Sequence, residues 1–210
     1  PNGKGAHVES SYKIRPTIAD DIRASSFKAG IFALLLIFLY IFIRFSKWQY
    51  SLGAVAALFH DVLIVLAVFS FGRYIFGFPL EIDQNFIAAI LTVIGYSIND
   101  TVVVFDRIRE FMGEYSNRTK EEIINLAINN TISRTIITSL TTLFVVAVLF
   151  FFGGESTRGL AFALLVGIIV GTYSSVFVAT PLMSDFSGEL KTKESASDSK
   201  KRFSKAASKA

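Results

Sequence analysis

The sequence predicts an all-α membrane protein with five transmembrane helices, and three observations carry that prediction. Of 210 residues, 52% are apolar and 21 are Phe, a composition too hydrophobic for a water-soluble domain of this size. The charged residues, 18% of the chain, collect in the first 28 positions, around 106 to 122 and after Ser184 instead of covering a surface. Between these clusters lie five windows of about 20 predominantly apolar residues, the length a helix needs to cross the hydrocarbon core at about 1.5 Å per residue.

The first window runs from about Phe27 to Phe45, with Lys28 and Arg44 near its ends, where long basic side chains can snorkel. The second, about Tyr50 to Gly72, is interrupted by His60 and Asp61. The third, about Gln84 to Phe105, carries one internal charge, Asp100; the fourth, about Thr131 to Gly153, carries Arg134. The fifth, about Gly159 to Met183, carries none, and its Gly167 and Gly171 form a GxxxG pair suited to close helix packing. Before the fourth window, Thr119-Lys120-Glu121-Glu122 is a capping box that should start a helix over about 119–130. Ile123, Ile124, Ala127 and Ile128 give it one apolar side, so it is expected to lie along the membrane surface before feeding into the fourth span. Residues 1–26 are polar and 186–210 form a basic tail. None of the five windows reads as a secretory signal, because the first 25 residues are polar, and the chain, starting at Pro1 without Met, reads as a fragment of a longer protein.

An odd number of spans places the two ends of the chain on opposite sides. The Arg44 to Lys47 connection, the loop with Arg107, Arg109, Arg118 and Lys120, and the seven basic residues among the last twenty share one side, which the positive-inside rule makes cytoplasmic. Arg73, Glu81, Asp83, Glu155 and Arg158 share the other side with the N-terminal stretch. Five basic residues in the first 28 positions run against the rule, a conflict that a long translocated domain upstream removes. The formal charge of +4 then follows from topology and gives no sign of nucleic-acid binding. With no Cys, a disulfide framework, a Cys-ligated metal and a thiol nucleophile are excluded, and two His are too few for a poly-His metal site.

An ionisable group at the centre of a span costs about 2.5 to 3.5 kcal/mol on insertion scales, so it needs a reason. Counted from the cytoplasmic side, Asp100 lies about 7 to 8 Å in and Arg134 about 5 Å, matching depths, with His60 and Asp61 about 14 to 16 Å in. Thr92, Tyr96, Asn99, Asp100 and Val103 follow helical spacing as a polar stripe. The fourth span opens with Thr131, Ser133, Thr135, Thr138, Ser139, Thr141 and Thr142, hydroxyls that satisfy backbone, line water or join helices at about 0.6 kcal/mol per bond. Asp100 and Arg134 are either a buried structural ion pair or a proton carrier beside a fixed charge. Burial and a neighbouring Arg act on a carboxyl's proton affinity in opposite directions, so their separation decides whether the carboxyl holds a proton. Arg does not deprotonate, which leaves Asp100 as the carrier. Each proton crossing 100 mV delivers about 2.3 kcal/mol, enough to bias a two-state element. Asp100 and Arg134 are the candidate proton pathway, and His60, Asp61, Tyr96, Asn99, Thr101 and Thr138 the candidate supporting network.

The run Gly95-Tyr96-Ser97-Ile98-Asn99-Asp100-Thr101-Val102-Val103-Val104-Phe105-Asp106-Arg107-Ile108-Arg109-Glu110 resembles the signature of the SecF members of the SecD/SecF family. Pro16 to Asp21, Leu58-Phe59-His60-Asp61-Val62, Asn130 to Thr135 and Gly171-Thr172-Tyr173-Ser174-Ser175 agree with it, so the likeness covers about residues 14 to 185. SecD carries Asp-Ala-Asn and Glu-Arg where this chain has Asn99-Asp100-Thr101 and Asp106-Arg107, which places it on the SecF side, separate or fused. The resemblance implies a six-helix bundle related to the resistance-nodulation-division exporters, of which five helices are present. On that reading Pro1 to Ser26 would be the end of a periplasmic domain. It further implies a multi-pass protein of the bacterial cytoplasmic membrane that uses the proton gradient to complete protein export. Asp100 and Arg134 map to the family's proton pathway. The implied partners are SecD, the SecYEG translocon, YajC, the translocating preprotein and membrane lipids, with no cofactor other than protons.

Two other classes compete: a proton-coupled exporter half for small molecules or lipids, which would transport substrate without secretory protein, and a purely structural stabiliser of the translocon. An intramembrane protease is excluded by the lack of a Gly-x-Ser-Gly turn and of a Gly-x-Gly-Asp paired with Tyr-Asp, and no glycine-rich phosphate loop is present. The chain is therefore expected not to be an enzyme.

Overall fold

In a computed structural model, residues 16–72, 74–75, 80–115 and 117–187 are described, and no strand occurs among them. Five helical segments are long and apolar enough to cross a membrane. They are α1 (Pro16–Phe45), α2 (Trp48–Gly72), α3 (Gln84–Glu114), α4 (Lys120–Phe152) and a fifth span composed of α5 (Glu155–Ser174), a π-helical turn (Ser175–Ala179) and α6 (Thr180–Phe186). The basic tail beyond 187 and the polar stretch before 16 lie outside the described residues.

Three boundaries differ from the sequence expectation. Helix α1 begins at Pro16, so the second half of the expected connector is helical; proline fits a first helical turn because its missing N–H would have no partner there. Helix α3 runs nine residues past Phe105 because Asp106 to Met112 contain no breaker and carry Ile108 and Phe111 onto the packed side. The helix capped by Thr119 is not a separate surface element. The capping box forms, with Glu122 N–H donating to Thr119 Oγ1 at 3.3 Å and Thr119 N–H to Glu122 Oε2 at 3.2 Å. Beyond it, however, no Gly or Pro occurs before Gly153, so the helix continues unbroken into the fourth span.

The fifth span is the centre of the bundle, packed against α2, α3 and α4, and 44% of an 18-residue apolar window within it is buried, against 11% of the equivalent window of α1. The exposed apolar faces of α1 (Phe32, Leu35, Leu39) and α4 (Ile137, Phe144, Val145) are surfaces that lipid tails solvate as well as Leu would. The α1–α2 turn is tight: Ser46 takes a left-handed φ of 54° while its N–H donates to Phe42 O at 2.8 Å, closing α1.

Apolar clusters hold the helices together, and two of them bound the site. One contains Phe45, Tyr50, Phe105, Ile108 and Met183, with Phe45 stacked on Tyr50 at 4.9 Å between ring centres and Phe105 edge-on to Tyr50 at 5.1 Å. The other contains Val65, Phe69, Phe86 and Ala163. Along α2, α3 and the fifth span, the residues between the two clusters include Asp61, Ser97, Asp100 and Ser174, all buried. A polar layer thus lies inside the bundle, bounded by hydrocarbon at both ends.

Candidate functional site

The close approach of α3 and α5 builds this layer. Gly167 lies against Val93, leaving no room for a methyl group, and a Cβ on Gly171 would come within 3.0 Å of Ser97 Cβ. The GxxxG pair therefore brings the two helices together, and Ser174, three residues beyond Gly171, falls on the same seam. Asp61 of α2 meets them there. It is fully buried, and its Oδ2 accepts hydrogen bonds from Ser97 Oγ at 2.6 Å and Ser174 Oγ at 2.8 Å. His60 Nδ1 is 3.2 Å from Asp61 Oδ1, with 35% of the His60 side chain exposed.

A second cluster forms one helical turn along α3. Asp100 is 3% exposed, and its Oδ2 accepts one long bond, 3.5 Å, from Ser139 Oγ of α4. The Ser139 hydroxyl is 2.6 Å from that of Thr172 on α5, while Tyr96 OH lies 3.5 Å from Ser139 Oγ and 3.4 Å from Thr142 Oγ1. Asp100 is held loosely where Asp61 is held tightly. Among the described residues Asp100 Oδ1 has no hydrogen-bond partner, so this carboxyl can take a proton without giving up a bond.

The sequence places Asp100 and Arg134 at equal depth, and each stands fourteen residues from the α3–α4 connection, counted from Glu114 and from Lys120. They do not form an ion pair. Arg134 is exposed on α4 and makes no salt bridge or hydrogen bond with Asp100. Of the expected supporting residues, Tyr96 joins the Asp100 cluster, while His60 and Asp61 form their own. Thr101 Oγ1 donates to Ser97 O at 3.1 Å and Thr138 Oγ1 to Arg134 O at 3.1 Å, so both are spent on their own helices. Asn99 is exposed and turned away from both clusters. Thr131 and Thr141 likewise bond backbone carbonyls within α4, which satisfies backbone instead of joining helices, whereas Thr142 donates to Thr138 O and also accepts from Tyr96 of α3. Thr135, buried one turn from Ser139, has no hydroxyl partner. No three His, Asp or Glu side chains converge as a metal site among the described residues.

Sequence reasoning did not assign site roles to Ser97, Ser139, Thr172 and Ser174. A signal for two of them was present: Gly167, Gly171 and Ser174 repeat at helical spacing, so whatever the glycines pack against also meets Ser174.

A family model described as "Protein export membrane protein SecD/SecF, C-terminal" matches residues 2–189. Protein translocase subunit SecF of Rhodothermus marinus is 58% identical over 170 residues, covering 81% of this chain and 55% of that protein. SecF of Haemophilus influenzae is 43% identical over 182 residues, covering 87% of this chain and 54% of that one. The chain thus spans about half the length of these curated relatives. A crystal structure of SecDF from Thermus thermophilus, described as a translocon-associated membrane protein, aligns with a TM-score of 0.77 at 40% identity over 84% of this chain and 24% of that one. SecDF in its super-membrane-facing form aligns with a TM-score of 0.73 at 38% identity over 94% of this chain and 24% of that one. With the model matched along nearly the whole sequence and the five-helix arrangement shared, the chain belongs to the SecD/SecF family of protein-export membrane proteins.

Proposed function

We propose that this chain is the SecF part of a Sec accessory complex in the bacterial cytoplasmic membrane, where proton movement through the bundle drives a late step of protein export. The observation that carries this reading is Asp100: a carboxyl 3% exposed, deep in a span, with one long hydrogen bond and one free oxygen. Such a group costs several kcal/mol to keep in a membrane and is well suited to exchanging protons. Arg134 is the fixed charge whose distance sets whether Asp100 holds its proton. A rearrangement that brings the guanidinium closer favours release, and one that withdraws it favours loading.

Arg134, Asn99 and Thr138 are exposed within spans that are otherwise apolar, and uncovered polar groups at that depth need a partner helix or water. SecD is the partner that would cover them and supply a second carboxylate. SecYEG, the preprotein and YajC complete the assembly, with the chain's C-terminal end cytoplasmic and its N-terminal end periplasmic. The subunit itself catalyses no covalent chemistry, and protons are its coupling ion. The test is export by the full-length complex in inverted membrane vesicles with Asp100→Asn: assembly should persist while stimulation by the proton gradient disappears. Stimulation equal to wild type would overturn the proposal.

A further inference from the structure

We infer that Asp61 is a second proton-exchanging carboxylate, which latches the fifth span next to its π-helical turn when ionised and frees it when protonated. The inference rests on the proton-driven reading above and adds a place where protonation becomes movement.

Asp61 joins three helices through one oxygen. Its Oδ2 accepts from Ser97 on α3 and from Ser174, the last residue of α5, and Ser175–Ala179 form the π turn immediately afterwards. A π turn inside an α-helix marks a place where the backbone has an alternative register. Its far side is fixed differently: Gly53 of α2 packs so closely on the Ala179 carbonyl that a Cβ there would lie 2.6 Å from the oxygen. Thr180 Oγ1 donates to the Ser175 carbonyl at 3.0 Å across the turn. Steric fit holds both flanks of the turn, at Gly53 on one side and at Gly171 on the other, and the Ser174 side has in addition one hydrogen bond to a carboxylate. Only the second kind of hold depends on charge.

Bonds from hydroxyls to an ionised carboxylate are about twice as strong as those to a neutral acceptor. His60 gives the proton a route where water in the assembled complex reaches its ring, which touches Asp61 Oδ1 and is 35% uncovered in this chain. With a proton on Nδ1, the transfer forms the Asp61 O–H bond and breaks the Nδ1–H bond, while Nε2 takes a proton from outside and the ring stays neutral. The carboxyl then donates to His60, the charge is gone, and the Ser97 and Ser174 bonds fall to ordinary strength. The ionisable groups around Asp61 are few: His60 on its own helix, Asp100 one turn away on α3, and Arg134 exposed on α4. The membrane stretch of α1 has only Lys28 and Arg44 at its ends, α6 has Asp185 near its end, and α5 has Glu155 and Arg158 at its distant start. A structural acceptor for two serines needs no charge, because an amide oxygen would serve; the distinction makes the inference testable.

In the full-length complex, freed of other cysteines and reconstituted in lipid vesicles, a spin label at Phe177→Cys on the exposed side of the π turn reports its mobility. The label should be restrained at alkaline pH and mobile at acid pH. Asp61→Asn should abolish that transition and leave the label mobile throughout, whereas Asp100→Asn should keep it. Ser174→Ala, which leaves the carboxylate in place, should also leave the label mobile at every pH, and it decides the matter if Asp61→Asn fails to assemble. A transition unchanged in Asp61→Asn or in Ser174→Ala overturns the latch, whatever Asp100→Asn does to export. If Asp100→Asn exports normally while the label still titrates through Asp61, the latch stands and the export reading fails.

Discussion

Asp100 and Arg134 stand at the same level on neighbouring helices, each fourteen residues from the connection between α3 and α4, and they do not touch. The acid is buried and the guanidinium exposed. An Arg that grips a carboxylate with both nitrogens cannot be replaced by Lys, but one that acts through space can, because Lys supplies the same charge on a stem of similar reach. Arg134→Lys should therefore retain most of the gradient-stimulated export, and Arg134→Gln should lose it, a coupling of about 1 to 3 kcal/mol. Export assays on the two variants decide this, and a Lys variant as inactive as the Gln variant would point to direct contact in the working state.

Gly167 of α5 packs directly on the Val93 side chain of α3. Adding a methyl forces the helices apart and with them Ser97 from Ser174, so Gly167→Ala should cost about 1 to 3 kcal/mol, as overpacking does elsewhere. Gly30, in the interior of α1 with nothing near its missing Cβ, is the control: Gly30→Ala should be neutral or stabilising, by up to about 1 kcal/mol. Unfolding of the purified complex in bicelles measures both, and equal effects would show that the seam is not what holds the bundle.

Thr119 starts the longest α-helix among the described residues with a capping box that forms in full. Thr119→Ala removes the acceptor for the Glu122 amide and should destabilise the first turn by about 1 kcal/mol, seen as roughly fivefold faster amide exchange at Glu122. The span beyond Thr131, packed through Thr135 and Ser139, should exchange as before.

Much of this architecture was legible in the sequence because the bilayer imposes a length and a composition on each span. The five windows, the Thr119 cap and the GxxxG seam are local patterns with one physical solution each. The partition of the polar residues was not legible, since helical spacing groups Tyr96, Asn99 and Asp100 in one stripe, whereas α5 and α4 admit Tyr96 and Asp100 and leave Asn99 outside. The stripe is wider than the groove it faces, and only the neighbouring helices define that groove. The Asp61 cluster was hidden for a related reason: its two closest partners, Ser97 and Ser174, are 36 and 113 residues away in the chain. The π turn had a visible cause that span-length reasoning overlooks, a proline at 181 in a stretch otherwise read as one helix.

Pro181 gives the last prediction. Its ring would collide with the carbonyl of Phe177 in a regular helix and it offers no N–H to bond it. Widening the preceding turn over Ser175–Ala179 relieves that collision, and the Thr180 hydroxyl takes up the Ser175 carbonyl at 3.0 Å. Pro181→Ala restores a donor and removes the clash, so the π turn should relax to α-helix and the local structure should gain up to about 3 kcal/mol. Amide exchange across 177–182 should slow accordingly. Because one residue is then reabsorbed into the helix, the stretch beyond it rotates by about 100°, the turn per residue at 3.6 residues per turn. Met183 would leave the cluster of Phe45, Tyr50 and Phe105. The variant should thus be locally more rigid yet poorer in gradient-stimulated export, and a variant that exports normally with slowed exchange would show that the π turn is a packing accommodation and takes no part in the working cycle.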